Sequence, residues 1–209
     1  MVGQGVLREC LLDSDIEQVL SIVRATSGQH HPRLRELAHA NFFDFSPIES
    51  QLIGFDAAFF CLGASSAGKT EQQYSRVTYD ITMAAAAPLA RLNREMTFCF
   101  VSGAGTDSTE RGRVMWARVK GKAENALLRL PFKAAYMFRP AVIQPMHGIK
   151  SSTALYRIPY TILGPLISLL RKRYPQYITT TEQLGRAMIA AARRGAPKTI
   201  LENADINKL

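Results

Sequence analysis

Short apolar segments alternate with helix-like segments along most of this chain, and this alternation limits the possible folds. The apolar segments are 56–62, 96–102 and 133–139, and the intervening segments 71–92 and 114–130 have the composition and periodicity of helices. Apolar strands that alternate with helices are typical of a parallel sheet covered by helices on both faces. We therefore predict an α/β fold with a doubly wound parallel sheet.

Further segments extend the pattern towards both ends of the chain. We predict strands over 18–24 and 38–43 and helices over 4–12 and 181–194, with Thr180 or Thr181 as the N-cap of the last helix. No internal repeat or linker divides the 209 residues, a length that suits one α/β domain. We expect one domain over 1–209, with a small substrate-side region over about 141–180.

The net charge of +9 is uneven along the chain. Residues 1–105 carry 8 bases and 11 acids (net −3), and residues 106–209 carry 18 bases and 6 acids (net +12). A basic half suits an anionic cofactor or a solvated face, and no nucleic-acid-binding motif accompanies it. The chain lacks an apolar run of the ~20 residues that a membrane span needs. We expect a cytoplasmic protein with a small-molecule substrate and no nucleic-acid partner.

Three smaller features have structural explanations that we favour. The cysteines have no metal-ligand spacing, and His30 and His31 have no suitably spaced third ligand, so no metal site is predicted. The apolar segment 158–170 leads into a basic cluster at 171–173. It is interpreted as a lid over the substrate, and peripheral contact of 158–173 with an anionic membrane is the alternative.

One serine and one helix carry the strongest functional pattern. Ser102 ends an apolar strand, and Trp116 and Lys120 follow one helical turn apart. A serine hydroxyl can orient a carbonyl group, and a lysine supplies a positive charge. The indole N–H of Trp116 is only a hydrogen-bond donor and cannot act as a general acid or base.

The beginning of the sequence departs from a dinucleotide-binding pattern. Such sheets open with a strand and a glycine-rich turn onto a helix, whereas this chain starts at the helix, around Gly3. We expect the first strand and most of the glycine-rich loop to be missing from this sequence, about ten residues. The next strand ends at Arg24, which suits a ribose 2′-phosphate and favours NADP over NAD, unless Arg24 is simply a solvated charge.

The chain resembles one family along most of its length. The resembling segments are 3–8, 21–24, 43–45, 60–63, 102–104, 119–121, 138–140 and 201–203. In this order they are similar to the atypical short-chain dehydrogenase/reductases related to the Tat-interacting oxidoreductase and to bacterial NAD(P)-binding epimerase/dehydratase-like proteins. The resemblance implies a Rossmann sheet that binds NADP.

The resemblance also implies roles for individual residues. Ser102 and Lys120 fall on the catalytic serine and lysine, and Trp116 stands where relatives carry tyrosine. The implied cofactor contacts are Gly3 at the phosphate turn, Arg24 at the 2′-phosphate, Asp44 and Phe45 by the adenine, Leu62 and Gly63 beneath the ribose, Lys120 on the ribose and Pro140 near the nicotinamide.

Three functions remain open on the sequence. The first is an NADP(H)-dependent oxidoreductase acting on a carbonyl or nucleotide-sugar-like substrate, with a water, Tyr79 or Tyr136 as proton donor. The second is an NADPH-binding regulator or sensor without turnover, which Trp116 favours. The third is a P-loop NTPase, since residues 63–70 match the phosphate-loop pattern. No downstream strand ends in the Asp that would hold Mg²⁺, so Lys69 is interpreted as an exposed loop charge.

Overall fold

Residues 1–149, 173–174 and 176–209 are described by a computed structural model of the chain. Contacts between residues group them into two units. The terminal unit comprises Met1–Ala40, Pro140–Arg193 and Glu202–Leu209, and the central unit comprises Asn41–Arg139 and Arg194–Leu201. The single domain expected over 1–209 stays a prediction.

Strands and helices alternate along the chain. In order they are α1 (Val2–Leu12), β1 (Val19–Val23), β2 (Leu34–Ala38), a 3-10 helix (Ser46–Gln51), β3 (Ala57–Phe60), α2 (Glu71–Ser75), a π-helical turn (Arg76–Asp80), α3 (Ile81–Leu92), β4 (Thr97–Val101), α4 (Met115–Leu127), β5 (Ala134–Arg139), β6 (Val142–Gln144), β7 (Ile178–Thr180), α5 (Thr181–Arg194), β8 (Ile200–Glu202) and α6 (Asn203–Ile206). None of the helices in the described part is long and apolar enough to cross a membrane.

The central unit is built on a four-stranded sheet in the order β3-β4-β5-β8. The pairs β3-β4 and β4-β5 are parallel, and the Met137 N–H donates to the Thr199 oxygen at 2.7 Å beside β8. Apolar side chains from the sheet and from α3 and α4 share one core, formed by Ala86, Phe98, Phe100, Ala123, Leu127 and Met137. This is the predicted α/β arrangement with a Rossmann-like parallel sheet.

The helix predicted over 71–92 is interrupted. Thr70 and Gln73 form a capping box that starts α2, and the π-helical turn at Arg76–Asp80 separates α2 from α3. The alanine-rich sequence gave no sign of the interruption, because a π-turn keeps the same residue types and changes only the hydrogen-bond spacing.

The terminal unit contains two parallel strand pairs, β1-β2 and β6-β7, together with α1, α5 and α6. Helices α1 and α5 approach each other closely. A Cβ at Gly5 would stand 2.7 Å from the Thr181 Cβ, and a Cβ at Gly185 would stand 2.9 Å from the Glu9 Cγ. The buried Glu9 carboxylate also accepts a hydrogen bond from Arg186 at 3.0 Å.

Thr180 caps α5, as predicted. Its hydroxyl accepts a hydrogen bond from the Gln183 N–H at 2.9 Å. The strand predicted over 38–43 is wrong, because the strand lies at Leu34–Ala38. Residues beyond it turn away, and the Asn41 side chain accepts the Phe43 N–H at 3.1 Å.

Strands β1 and β3 each have one open edge among the described residues. Strand β1 pairs with β2 alone, and β3 pairs with β4 alone. The Thr97 N–H donates to the Asp56 oxygen at 2.8 Å. Since main-chain groups of successive residues point to opposite sides of a strand, Ala57 and Phe59 face the open edge. All residues of β1 and β3 are half-buried, whereas most of β4 is buried. The expectation that a first strand is missing stays a prediction.

Candidate functional site

The candidate site lies at the carboxyl ends of β4 and β5 in the central unit. Ser102 follows β4 directly, and Arg139 is the last residue of β5. The Ser102 N–H donates to the Phe138 oxygen at 2.8 Å, which joins the two strand ends. In open parallel sheets, ligands bind in the crevice outside the carboxyl ends of the strands.

The Ser102 hydroxyl is held by protein groups in this structure. Its Oγ lies 2.5 Å from the Glu124 Oε1 and 3.2 Å from the Phe138 oxygen, and both acceptors are buried. A hydroxyl has one proton and two lone pairs. Because the carboxylate is the nearer and stronger acceptor, the proton points to Glu124, and the lone pairs remain for other donors.

Glu124 and Arg139 form a buried, bidentate ion pair. The Glu124 side chain is fully buried and that of Arg139 is 10 % exposed. The Arg139 Nε lies 3.0 Å from Oε1 and its Nη2 lies 2.5 Å from Oε2. The same Nη2 lies 2.6 Å from the Ser108 Oγ. Two parallel N–H···O bonds of this kind fix the relative position of the two side chains and strengthen the attraction between their charges.

Lys120 lies one helical turn before Glu124 on α4. Its side chain is half-buried, and its ammonium donates to the main-chain oxygen of Ser102. Burial lowers the pKa of Lys120 to about 8, and the nearby Glu124 carboxylate opposes that shift. Lys120 therefore carries a positive charge at neutral pH and begins to lose it just above.

Trp116 lies one turn before Lys120 and borders the loop that follows β4. A Cβ at Gly105 would stand 3.5 Å from the Trp116 Cη2, so the indole lies against this part of the loop. Gly105 has a φ of +82°, a conformation that favours glycine. The structure thus brings Ser102, Lys120 and Trp116 into one part of the central unit.

The two tyrosines considered as proton donors have contacts elsewhere in the central unit. The Tyr136 hydroxyl accepts a hydrogen bond from the Ala196 N–H at 3.1 Å. The Tyr79 ring lies 4.6 Å from the Lys122 Nζ and packs against the hydrophobic core. Both rings therefore have structural roles in the fold.

The other cofactor-binding residues of the sequence analysis are spread over both units. In the central unit, Phe45 is buried, Asp44 accepts the Ser46 N–H at 2.9 Å, and Leu62 and Gly63 follow β3. In the terminal unit, Gly3 is exposed in the first turn of α1, Arg24 is exposed just after β1, and Pro140 is buried. Their roles towards a cofactor stay predictions.

The loop at 63–70 connects β3 with α2, as the phosphate-loop alternative requires. Its last residue, Thr70, is occupied in capping α2. Lys69 is half-buried rather than fully exposed, which corrects that expectation. The neighbouring strand β4 is followed by Ser102, so the Asp of a Mg²⁺ site is not found there.

Two further predictions concern a metal and a membrane. Among the described residues, no three His, Cys, Asp or Glu side chains are grouped so that they could hold a metal ion. The segment proposed for a membrane surface, 158–173, lies outside the described residues except for Arg173.

Sequence reasoning missed Glu124 and Arg139. Charged residues are usually exposed, and the two are 15 positions apart, so no local pattern links them. One signal was available, since Glu124 follows Lys120 by four residues and thus shares its helix face.

Comparisons with known proteins show the fold. No protein-family model and no curated protein matches the chain. The enzyme WbmG of Bordetella bronchiseptica in complex with NAD is similar with a TM-score of 0.67 at 10% identity, over 97% of this chain and 68% of that one. A short-chain dehydrogenase/reductase superfamily protein from Agrobacterium tumefaciens with bound NAD has a TM-score of 0.65 at 12% identity, over 97% and 74%. A UDP-galactose 4-epimerase has a TM-score of 0.62 at 13% identity, over 97% and 73%.

The chain therefore has the Rossmann-like α/β fold of short-chain dehydrogenase/reductase structures. The resemblance inferred from the sequence is confirmed at this level, and the identities of 10–13% carry the fold alone.

Proposed function

We propose that this chain binds a nicotinamide dinucleotide and acts as an oxidoreductase on a carbonyl or nucleotide-sugar-like substrate. The observation that carries the proposal is the grouping of Ser102, Lys120 and Trp116 at the carboxyl edge of a parallel sheet. Two solved structures with a similar fold contain NAD, and their sequences are 10–12% identical to this chain. The cofactor would supply or accept a hydride at the substrate carbon.

The residues at this edge fit such a cofactor. Leu62 is half-buried at the end of β3, and no atom lies within 4 Å of a Cβ placed at Gly63, so there is room beside the strand end. Lys120 offers a charged donor for ribose hydroxyls. Trp116 offers a flat apolar surface for an aromatic ring.

The proton that accompanies the hydride needs a source other than Trp116. Reduction of a carbonyl adds a hydride to carbon and a proton to oxygen, and an indole N–H does not act as a general acid. A water near the Lys120 ammonium is the donor we favour, since the Tyr136 hydroxyl bonds to the Ala196 N–H and the Tyr79 ring packs against the hydrophobic core.

We further propose that NADP(H) is preferred over NAD(H). Arg24 is exposed at the end of β1, and its planar guanidinium matches a phosphate. In Rossmann-like folds, the ribose 2′ position is read close to the end of this strand.

The single tryptophan makes cofactor binding directly measurable. Trp116 is the chain's one tryptophan, so NADPH bound near it should quench its emission and show energy transfer.

Lys120→Met should weaken NADPH binding by roughly 10–100-fold, since a hydrogen bond to a charged group contributes about 1.5–3 kcal/mol. Lys122→Met is the matched control, because Lys122 is on the same helix, α4, as Lys120 and its ammonium lies over the Tyr79 ring. Equal affinities for Lys120→Met and the wild type would contradict the assignment.

A second candidate is an NADPH-binding regulator without turnover, and Trp116 is the observation that favours it. The two proposals share cofactor binding and differ in NADPH consumption. A panel of aldehydes, ketones and nucleotide sugars, followed at the absorbance of NADPH, separates them. Binding of ATP with Mg²⁺ in place of NADPH would instead support the P-loop alternative.

A further inference from the structure

The Glu124 carboxylate lies at the centre of the candidate site, although none of the roles above uses it. Three hydrogen bonds converge on its two oxygens, one from the Ser102 hydroxyl and two from the Arg139 guanidinium. Its side chain is fully buried. A buried carboxylate needs this degree of compensation, because removing an ion from water is strongly unfavourable.

Glu124 also acts on the lysine of the site. Lys120 and Glu124 are four residues apart on α4 and share a helix face. Two influences bear on the Lys120 ammonium: burial favours its neutral form, and Glu124 favours its charged form. Arg139 faces Glu124 from β5, and the group that faces Lys120 directly after β4 is the uncharged Ser102 carbonyl.

We propose that Glu124 is a positioning residue of the candidate site: its buried carboxylate fixes the Ser102 hydroxyl and the Arg139 guanidinium, and its negative charge lies one helical turn from Lys120 on the same helix face. Because the Ser102 proton is directed to Glu124, the Ser102 oxygen presents lone pairs to a ligand. It would accept from a hydroxyl of the ligand rather than donate to a carbonyl oxygen. This consequence rests on the proposed function, whereas the effect on Lys120 does not.

The test is to titrate the Lys120 amine without any cofactor. Trace acetylation between pH 6 and pH 11, read by mass spectrometry, reports the neutral fraction of each lysine. Glu124→Gln should lower the pKa of Lys120 and raise its labelling at pH 7 by about 2.5-fold or more, which corresponds to a decrease of at least half a pKa unit. Lys122 in the same spectra is the internal control. Glu49→Gln removes a carboxylate paired with Arg91 at 2.6 Å and should leave Lys120 unchanged.

Two further variants keep the proposal testable if Glu124→Gln does not fold. The double variant Glu124→Gln/Arg139→Met removes both charges, so the buried Arg139 charge is not left without its carboxylate. It should show the same increase in Lys120 labelling. Glu124→Asp retains the charge and should return labelling towards the wild-type level. An unchanged Lys120 titration in a folded variant that lacks the carboxylate would overturn the proposal.

Binding measurements separate this proposal from the proposed function. If NADPH binds, its affinity should decrease as the pH is raised and Lys120 loses its charge. This decrease should begin at a lower pH in Glu124→Gln than in the wild type. If Lys120 labelling changes as expected but NADPH does not bind at all, the proposed function fails and the role of Glu124 stands.

Discussion

Gly121 of α4 lies directly against the main-chain oxygen of Asp107: a Cβ at Gly121 would stand 1.8 Å from that atom. The Asp107 N–H also donates to the Ala117 oxygen of the same helix at 3.1 Å. The loop after β4 and the helix that carries Lys120 are thus held in main-chain contact. Only a glycine allows this approach, because any side chain would enter the space of the carbonyl group.

Gly121→Ala should therefore destabilise the protein and displace the helix. Forced overpacking typically costs about 1–3 kcal/mol, and a backbone atom cannot move away as a flexible side chain can. We expect a lower midpoint of denaturant unfolding and weaker NADPH binding. Gly63→Ala is the stability control, since no atom lies within 4 Å of its Cβ position. Equal unfolding midpoints for the two variants would show that the contact is absent in solution.

Trp116→Tyr should create or raise carbonyl reductase activity. A tyrosine here would lie one helical turn from the Lys120 ammonium, and a positive charge lowers the pKa of a phenol. General acid–base groups typically contribute ~10²–10⁴-fold, so the gain in kcat should be clear for any accepted substrate. Trp116→Phe, which keeps an aromatic ring without a hydroxyl, should show no gain. A fast wild-type reaction that Tyr79→Phe or Tyr136→Phe abolishes would indicate a different proton donor.

Arg24→Ala should remove most of the preference for NADPH over NADH. The Arg24 guanidinium can bind the 2′-phosphate of NADPH through its charge and paired hydrogen bonds. NADH carries an uncharged hydroxyl at this position, so Arg24 contributes much less to its binding. Dissociation constants for both cofactors, measured by calorimetry, give the ratio. Arg94→Ala, which removes an exposed arginine of the central unit, should leave the ratio unchanged. Equal affinities for the two cofactors in the wild type would refute the assignment of Arg24.

The charge of Lys120 should make stability depend on pH. Its pKa is about 8 in the folded protein and 10.5 for a lysine in water, so between these values the unfolded chain binds more protons. Stability from this group therefore rises with pH across that window, by up to about 3 kcal/mol. The free-energy difference between wild type and Lys120→Met, measured by urea unfolding from pH 7 to 10.5, should shift in favour of the wild type. A difference independent of pH would contradict the lowered pKa.

Sequence analysis located β3, β4 and β5 well, because each reads as a continuous apolar run, as is typical of strands in a sheet covered by helices. Strand β2 was misplaced, since Arg35 and Glu36 break its apolar pattern and the nearby Phe42 and Phe43 suggested a strand that does not form. Strands β6, β7 and β8 have three residues each, which is too few for a periodicity to show.

The candidate site was predicted in part for a related reason. Ser102 and Lys120 follow from a strand end and a helical spacing, which are local features. Glu124 and Arg139 meet through a long-range contact between α4 and β5. A charged residue is normally predicted to be exposed. The burial of Glu124 and Arg139 is therefore revealed only by the three-dimensional structure, in which the two side chains pair.

The glycine-mediated contact of α1 with α5 affects how the chain is made. At about 5–20 residues per second, a ribosome completes α5 roughly 10–35 s after α1 has been synthesised. Until then Glu9 has no Arg186 to pair with, and the apolar face of α1 has no α5 to cover it. The terminal unit is therefore expected to fold only after α5 has been synthesised, and a chaperone would have this interval in which to act on α1.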